Sequence, residues 1–250
     1  MSTHRYHLAA DQWSDDGFLT LAGDEARHCA EVLRGKLGDT VSIFDGAGGE
    51  AHGTVAAVES RLVRIKVLGR TRVPAPLVRI GLAQAIPKGR SMDLVIQKAT
   101  ELGAGEIIPI LSERTVVKLD ARAAEKKRQK WERVALEACK QCGRSWVPVI
   151  ANPVRPEQFV KDPGSWELRF IASLQPDSRR LKDFLAERAV EEPTAPSSAL
   201  VMVGPEGDFT PAEISTARGE GFLPLGLGQI VLRAETAAMH CLSILSHELT

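Results

Sequence analysis

Two short segments combine glycines with charged residues in an order that suits a binding or catalytic loop. Gly204-Pro205-Glu206-Gly207-Asp208 follows directly on the apolar run 199–203, and Thr210-Pro211-Ala212-Glu213 comes next. A continuous apolar run reads as a strand buried on both faces. Thr210 and Glu213 have capping-box spacing, with Pro211 at the first helical position. Strand, glycine loop and helix N-terminus therefore come in order, and parallel sheets gather ligands at the C-terminal ends of their strands. Glycines here admit backbone N–H and C=O groups to close contact with a neutral or mixed ligand. The phosphate-loop lysine is missing, which argues against nucleoside triphosphate chemistry. The same spacing also describes a plain strand-to-helix turn.

The second segment runs Leu225-Gly226-Leu227-Gly228-Gln229-Ile230-Val231-Leu232-Arg233 and opens a helix at Ala234-Glu235-Thr236. Arg233 and Glu235 stand where a strand end meets a helix start, a position from which an arginine clamps an anion. A surface ion pair of Arg233 with Glu235 or Glu206 is the alternative. Further polar groups are scattered: Lys88 and Arg90, Gln97-Lys98, Glu101, Ser112-Glu113-Arg114, Gln141 and Arg144. Lys98, Arg114 and Arg144 are candidates for one basic patch, and each alone is equally a solvated side chain. Cys139 and Cys142 form a C-x-x-C inside a helical pattern, without a second pair at zinc spacing, so a structural role is expected and no metal. Gly46, Gly48 and Ala51 satisfy G-x-G-x-x-A, but strand-like HGTVAAVE follows where a dinucleotide site needs a helix, so a hairpin turn is expected.

The elements that must position these residues fall into two sets. Strands are predicted at 4–8, 18–21, 40–44, 50–58 and 61–68, with one helix at 24–34, which suggests a small β-barrel. RTRVPAP at 70–76 reads as a linker, since its prolines cannot continue a sheet. Beyond it, strands at 78–83, 106–110, 147–150, 168–172, 199–203 and 222–225 alternate with helices at 89–103, 121–143, 155–161, 179–189, 211–220 and 235–248. That alternation predicts an α/β domain with a mainly parallel sheet covered on both faces.

The 250 residues carry 32 Lys+Arg and 32 Asp+Glu, and AVILMFWYC residues make up 44%. This is an ordinary globular composition, which argues against disorder, collagen and coiled coil. No uncharged apolar run approaches the ~18–20 residues that span a bilayer, and the N-terminus has no apolar signal region, so a cytoplasmic protein is expected. A net charge of zero disfavours a nucleic-acid partner at first sight. Split by segment, residues 1–75 carry −1, residues 76–150 carry +6 and residues 151–250 carry −5. The positive middle is suited to an anionic partner, although Lys126, Lys127, Arg128 and Lys130 also fit a solvated helix face.

Several segments, in order along nearly the whole chain, resemble the ribosomal RNA small-subunit methyltransferase E family of knotted SPOUT-class enzymes. They are Arg5-Tyr6, His28 with Val32-Leu33-Arg34, Ile43-Phe44-Asp45-Gly46, Gln97-Lys98 with Glu101-Leu102-Gly103, and Ser112-Glu113-Arg114. Glu137 to Arg144 with Pro148, Gly204-Pro205-Glu206-Gly207, and Leu232-Arg233 with Glu235-Thr236-Ala237 complete the set. G-P-E-G followed about 25 residues on by L-R-x-E-T-A is the most specific combination.

The resemblance implies a PUA-like RNA-binding barrel at 1–72 and a SPOUT domain at 77–250 whose C-terminus threads a trefoil knot and binds S-adenosylmethionine. It implies a cytoplasmic homodimer, without metal or membrane, that methylates N3 of one uridine in 16S rRNA, with the rRNA expected to be met within the 30S subunit. Catalysis is expected from Arg233, Glu235 and Glu206. The cofactor is expected at Gly204, Pro205, Glu206, Gly207, Leu225, Gly226, Leu227, Gly228, Ile230, Leu232, Arg233 and Thr236. RNA is expected at Arg5, His28, Arg34, Lys88, Arg90, Lys98, Arg114 and Arg144. Two departures stand out. The family usually has G-P-E-G-G, with glycine where Asp208 stands, and L-G-P-R-[IV]-L-R, with Pro and Arg where Gln229 and Ile230 stand. The rivals are a related enzyme acting on another rRNA or tRNA site, and a non-catalytic RNA-binding module of the same fold.

Overall fold

A computed structural model describes residues 4–59, 61–89, 91–115, 119–192 and 194–250. Two compact units emerge, and they are not contiguous in sequence. The first comprises residues 1–75 and 139–147, the second 76–138 and 148–250. A single division at 72–77 does not anticipate the return of 139–147.

The first unit is a five-stranded sheet of order β1-β3-β4-β5-β2, with β1 (His4–His7), β2 (Phe18–Ala22), β3 (Thr40–Phe44), β4 (Gly49–Val58) and β5 (Leu62–Arg72). β1 runs parallel to β3 and the other pairs are antiparallel. Alternate residues Leu19 and Leu21, Val41 and Ile43, and Val63 and Ile65 enter one core with Tyr6 and Cys29, as the period of two requires. β5 extends through Arg72, so the linker begins later than its prolines suggested. The expected helix 24–34 is α1 (Gly23–Arg27) followed by a π turn over His28–Val32. Gly46 and Gly48 lie in the β3–β4 turn at φ +80° and +92°, and Asp45 Oδ1 accepts from Ala47 N and Gly49 N. The glycine pattern there is a hairpin.

Residues 139–147 complete this unit. Arg5 donates to the carbonyls of Cys139 and Arg144, both at 3.3 Å, to Ser145 Oγ at 2.8 Å and to Glu50 Oε1 at 2.7 Å. Gly48 N donates to Ser145 O and Val147 N to Gly46 O. Trp146 Nε1 donates to the carbonyls of Val73 and Pro74. Lys140 pairs with Glu25, whose other oxygen accepts from His7 N. The His7 ring meets Phe44 edge-on at 5.4 Å. Burial lowers the His7 imidazole below its ordinary pKa.

In the second unit β6 (Arg79–Ala85), β7 (Glu106–Ile110), β8 (Val149–Ile150), β9 (Leu168–Ala172), β10 (Ser198–Val203) and β11 (Leu223–Leu225) form one parallel sheet of order β11-β9-β10-β6-β7-β8. Its helices are α2 (Ser91–Glu101), α3 (Ala121–Cys142, whose last turn counts with the first unit), α4 (Pro156–Phe159), α5 (Leu181–Glu191), α6 (Pro211–Gly219) and α7 (Ala234–Leu249). β10 shows why an unbroken apolar run was needed. Ala199, Val201 and Val203 face one core with α2, α5 and α7, while Leu200 and Met202 face the other with α4 and α6. The strand order reverses between β6 and β10, and such a switch point opens a crevice at the strands' C-terminal ends.

Candidate active site

A cavity of about 440 Å³ opens at those strand ends. One wall is the end of β9, Ala172-Ser173-Leu174. Val203 and the loop Gly204–Asp208 form the second, and Leu227 with Ile230 through Ala234 and Ala237 form the third. The lining is mostly apolar, with a few convergent polar groups, the usual composition of a small-molecule site. Asp208 N donates to Pro205 O, and Gly207 occupies the third position of that turn at φ +90°, where glycine is favoured. At Gly204 a Cβ would lie 2.8 Å from Asp208 Oδ1 and 3.0 Å from Phe209 N, so this close backbone approach excludes side chains.

The loop is held from two sides. Both Glu206 oxygens accept from the backbone N–H of Lys88, at 3.1 and 3.3 Å. Arg114 donates through Nη1 to Gly207 O. Behind it Thr210 and Glu213 form the expected capping box with Pro211 at the helix start. Glu213, only 4% exposed, accepts from Thr210 N at 2.8 Å, Ser112 Oγ at 3.1 Å and Glu113 N at 2.9 Å. A buried carboxylate is tolerated when its lone pairs are filled in this way. One side chain therefore joins the segment after β7 to the segment after β10.

Arg233 is the N-cap of α7 and lines the cavity, and its guanidinium makes no ion pair among the described residues. Glu235 lies half-buried in the first turn of α7, where a negative side chain complements the helix N-terminus. Ile230 and Val231 are 76% and 73% exposed at the rim, beside Leu174 at 58%. Asp208, where the family usually has glycine, has φ +67°. A backbone in this region favours glycine. Burial raises the Asp208 carboxyl above its ordinary pKa, against the opposing effects of the Phe209 N–H and Arg114.

Of the expected cofactor residues, Gly204, Pro205, Glu206, Gly207, Leu227, Ile230, Leu232 and Arg233 meet around this cavity. Four do not line it. Leu225 is core. Gly226 packs against 178–179, where a Cβ would lie 2.9 Å from Ser178 Oγ and its N–H donates to Arg179 O. Gly228 and Thr236 lie outside the lining, Thr236 being exposed. Eight further lining residues, Ala172, Ser173, Leu174, Val203, Asp208, Val231, Ala234 and Ala237, were not among those expected from sequence. The rule that ligands collect at strand ends was applied to β10 and holds equally for β9.

The expected RNA contacts divide. Arg5 spends its donors on carbonyls, a hydroxyl and Glu50 inside the first unit, and it stacks 4.6 Å from the Phe44 ring centroid. Arg144 is half-buried in the same unit, and burial lowers its pKa. His28 is half-buried, edge-on to Tyr6, and Arg34 is exposed at φ +51°. In the second unit Lys88 is exposed, while Lys98 is paired with Glu101 at 2.7 Å. Arg90 lies outside the described residues. On α3, Arg128 pairs with Glu125 and Glu132, and Lys130 with Asp93, so part of the positive middle segment is neutralised locally. Cys139 is buried, which pushes its thiol up to about 11. Its carbonyl accepts from Gly143 N at 3.0 Å as the helix ends at a left-handed glycine, so this stretch is a helix stop.

Fold and cavity define a class: residues 73–246 match the model of an RNA methyltransferase domain, and residues 21–68 that of an RNA methyltransferase PUA domain. A ribosomal RNA small subunit methyltransferase E from Bacillus subtilis is 30% identical over 99% of this chain and 97% of its own length. One from Synechocystis is 34% identical over 88% of this chain and 69% of its own. A Legionella pneumophila methyltransferase in complex with its cofactor SAM superposes with a TM-score of 0.89 at 33% identity, covering 99% and 98% of the two chains. The Neisseria gonorrhoeae methyltransferase E bound to S-adenosylmethionine gives 0.86 at 27%, over 99% and 98%. The chain belongs to the ribosomal RNA small-subunit methyltransferase E family.

Proposed function

We propose that this chain is an S-adenosylmethionine-dependent methyltransferase of small-subunit ribosomal RNA, acting on N3 of a uridine in 16S rRNA. The observation that carries the reading is the cavity at the switch point, where eight of the residues expected from sequence converge. Its volume lies within the roughly 300–1,000 Å³ of small-molecule sites, and its apolar walls with exposed loop backbone fit an adenosyl group. Backbone atoms of 204–207 and 227–232 would hold the adenine and ribose. The cofactor, when bound, supplies an electrophilic methyl on a sulfonium.

The remaining work falls to the protein. Uridine N3 is a weak acid and must lose its proton before it attacks. Arg233, at the cavity wall and free of ion pairs among the described residues, stabilises the anion that develops on the uracil. Glu235, two residues on, orients Arg233 or takes the N3 proton. Glu206 is tied to the Lys88 N–H, so it acts as a loop strap. Positioning of the base against the methyl supplies much of the rate.

Arg34 on the first unit, and Lys88 and Arg114 on the second, are the exposed or loop-borne cations assigned to RNA. The exposed rim of Leu174, Ile230 and Val231 supports a homodimer that covers it. The return of α7 onto α2 and β6 supports a threaded C-terminus. Incubating the protein with labelled cofactor and either 30S subunits or bare 16S rRNA, then mapping the product by mass spectrometry, tests the assignment. Methyl transfer to a uridine N3 is expected. Transfer only to another rRNA or a tRNA, or cofactor binding without transfer, would replace it with one of the rivals.

A further inference from the structure

Asp208 combines three unfavourable features at one position. Its backbone is left-handed at φ +67°, a conformation that a side chain resists and glycine does not. Its carboxyl is half-buried on the cavity wall. Oδ1 accepts from Phe209 N at 2.7 Å, but Oδ2 has no hydrogen-bond partner and the side chain no ion pair among the described residues. Arg114, whose guanidinium donates to the adjacent Gly207 O, attracts the carboxylate without bonding it, and Glu213 opposes this. The other two charged side chains of the lining are accounted for, Glu206 by the Lys88 N–H and Arg233 by its role toward the base. Backbone strain at a functional site is the observation from which a role is inferred. With Oδ1 held by Phe209 N, Oδ2 is left for a cation that enters the cavity.

Resting on the cofactor reading above, we infer that Asp208 is a cofactor-specificity residue that recognises the cationic methionyl end of S-adenosylmethionine. That end carries a sulfonium, an α-ammonium and an α-carboxylate, net +1, whereas the adenosyl end carries no charge. A hydrogen-bonded charge in a partly desolvated wall reads this difference.

The test is calorimetric titration of the full chain, and of Asp208→Asn and Asp208→Gly, with three probes. These are S-adenosylmethionine, S-adenosylhomocysteine and 5′-methylthioadenosine, which has neither cation. Asp208→Asn should bind S-adenosylmethionine about 10- to 100-fold more weakly, the range for one charged hydrogen bond, and leave 5′-methylthioadenosine unchanged. Asp208→Gly should show the same selective loss while melting no lower than the parent, because glycine relieves the backbone. Loss for S-adenosylhomocysteine as well identifies the ammonium, and loss for S-adenosylmethionine alone the sulfonium; both support the inference. Equal weakening of all three probes, or no change in any, overturns it. A parent chain that binds none of the three overturns the cofactor reading itself and the inference with it.

Discussion

Glu213 gives the sharpest test of how the candidate site is held. Its carboxylate fills three donors, Thr210 N, Ser112 Oγ and Glu113 N, while almost wholly buried. Glu213→Ala removes half of a capping box, about 1 kcal/mol. It also leaves the Glu113 N–H and Ser112 hydroxyl without a charged acceptor, about 1–3 kcal/mol for each buried group. We expect a loss of about 3 kcal/mol, which is about 6–12 °C in melting temperature for a chain of this size. Glu213→Gln keeps the shape but turns one amide hydrogen toward a donor, and about half of that loss is expected from the same penalty. The measurement is thermal unfolding paired with hydrogen exchange of the segments 110–115 and 204–214. Protection at Thr210 and Glu113 should fall in both variants while β4 and β5 stay unchanged. If Glu213→Gln melts with the parent and exchanges no faster in these segments, the carboxylate does not join them.

Three further outcomes are expected. A methyl at Gly48, already at φ +92°, would sit 2.6 Å from Val73 O and 2.7 Å from Trp146, so Gly48→Ala should cost about 2 kcal/mol or more by overpacking and strain, read by denaturant midpoint. His7 has a folded pKa below its ordinary 6.5, so the unfolded chain binds its proton first and stability falls as pH drops through about 6.5 toward the lower folded value; in a pH series of melting curves, His7→Gln should lack that component. Arg34→Gly should gain up to about 1 kcal/mol by relieving the left-handed backbone, yet flatten the salt dependence of RNA binding by about one phosphate contact; an unchanged slope removes Arg34 from the RNA contacts.

Much of this architecture was written in local pattern. The run 199–203 needed two covered faces, and it has them. Thr210, Pro211 and Glu213 announced a helix start that the hydrogen bonds realise, and Gly46 and Gly48 announced a turn. What local pattern does not carry is partnership over long separations. Nothing near Arg5 reveals that three of its acceptors lie beyond residue 138, so the resemblance alone placed it among the RNA contacts. Glu213 reads only as a cap, because Ser112 and Glu113 are about 100 residues away. Thr236 and Gly228 look equivalent to their neighbours in sequence, and only the walls of the cavity separate them. At Asp208 the departure from the family pattern was visible, but its left-handed backbone was not.

The non-contiguous first unit has a consequence for synthesis. Its sheet is complete by Arg72, but three of the acceptors of Arg5 and the strap at Trp146 come from 139–147. A ribosome adding about 5–20 residues per second needs roughly 4–15 s more to deliver them. During that interval Arg5 and Glu50 lack Ser145, and the Val73 and Pro74 carbonyls lack the indole. The nascent chain therefore carries a complete sheet without its strap while most of α3 is being made, and completion of the unit waits on translation past residue 147 rather than on its own 75 residues.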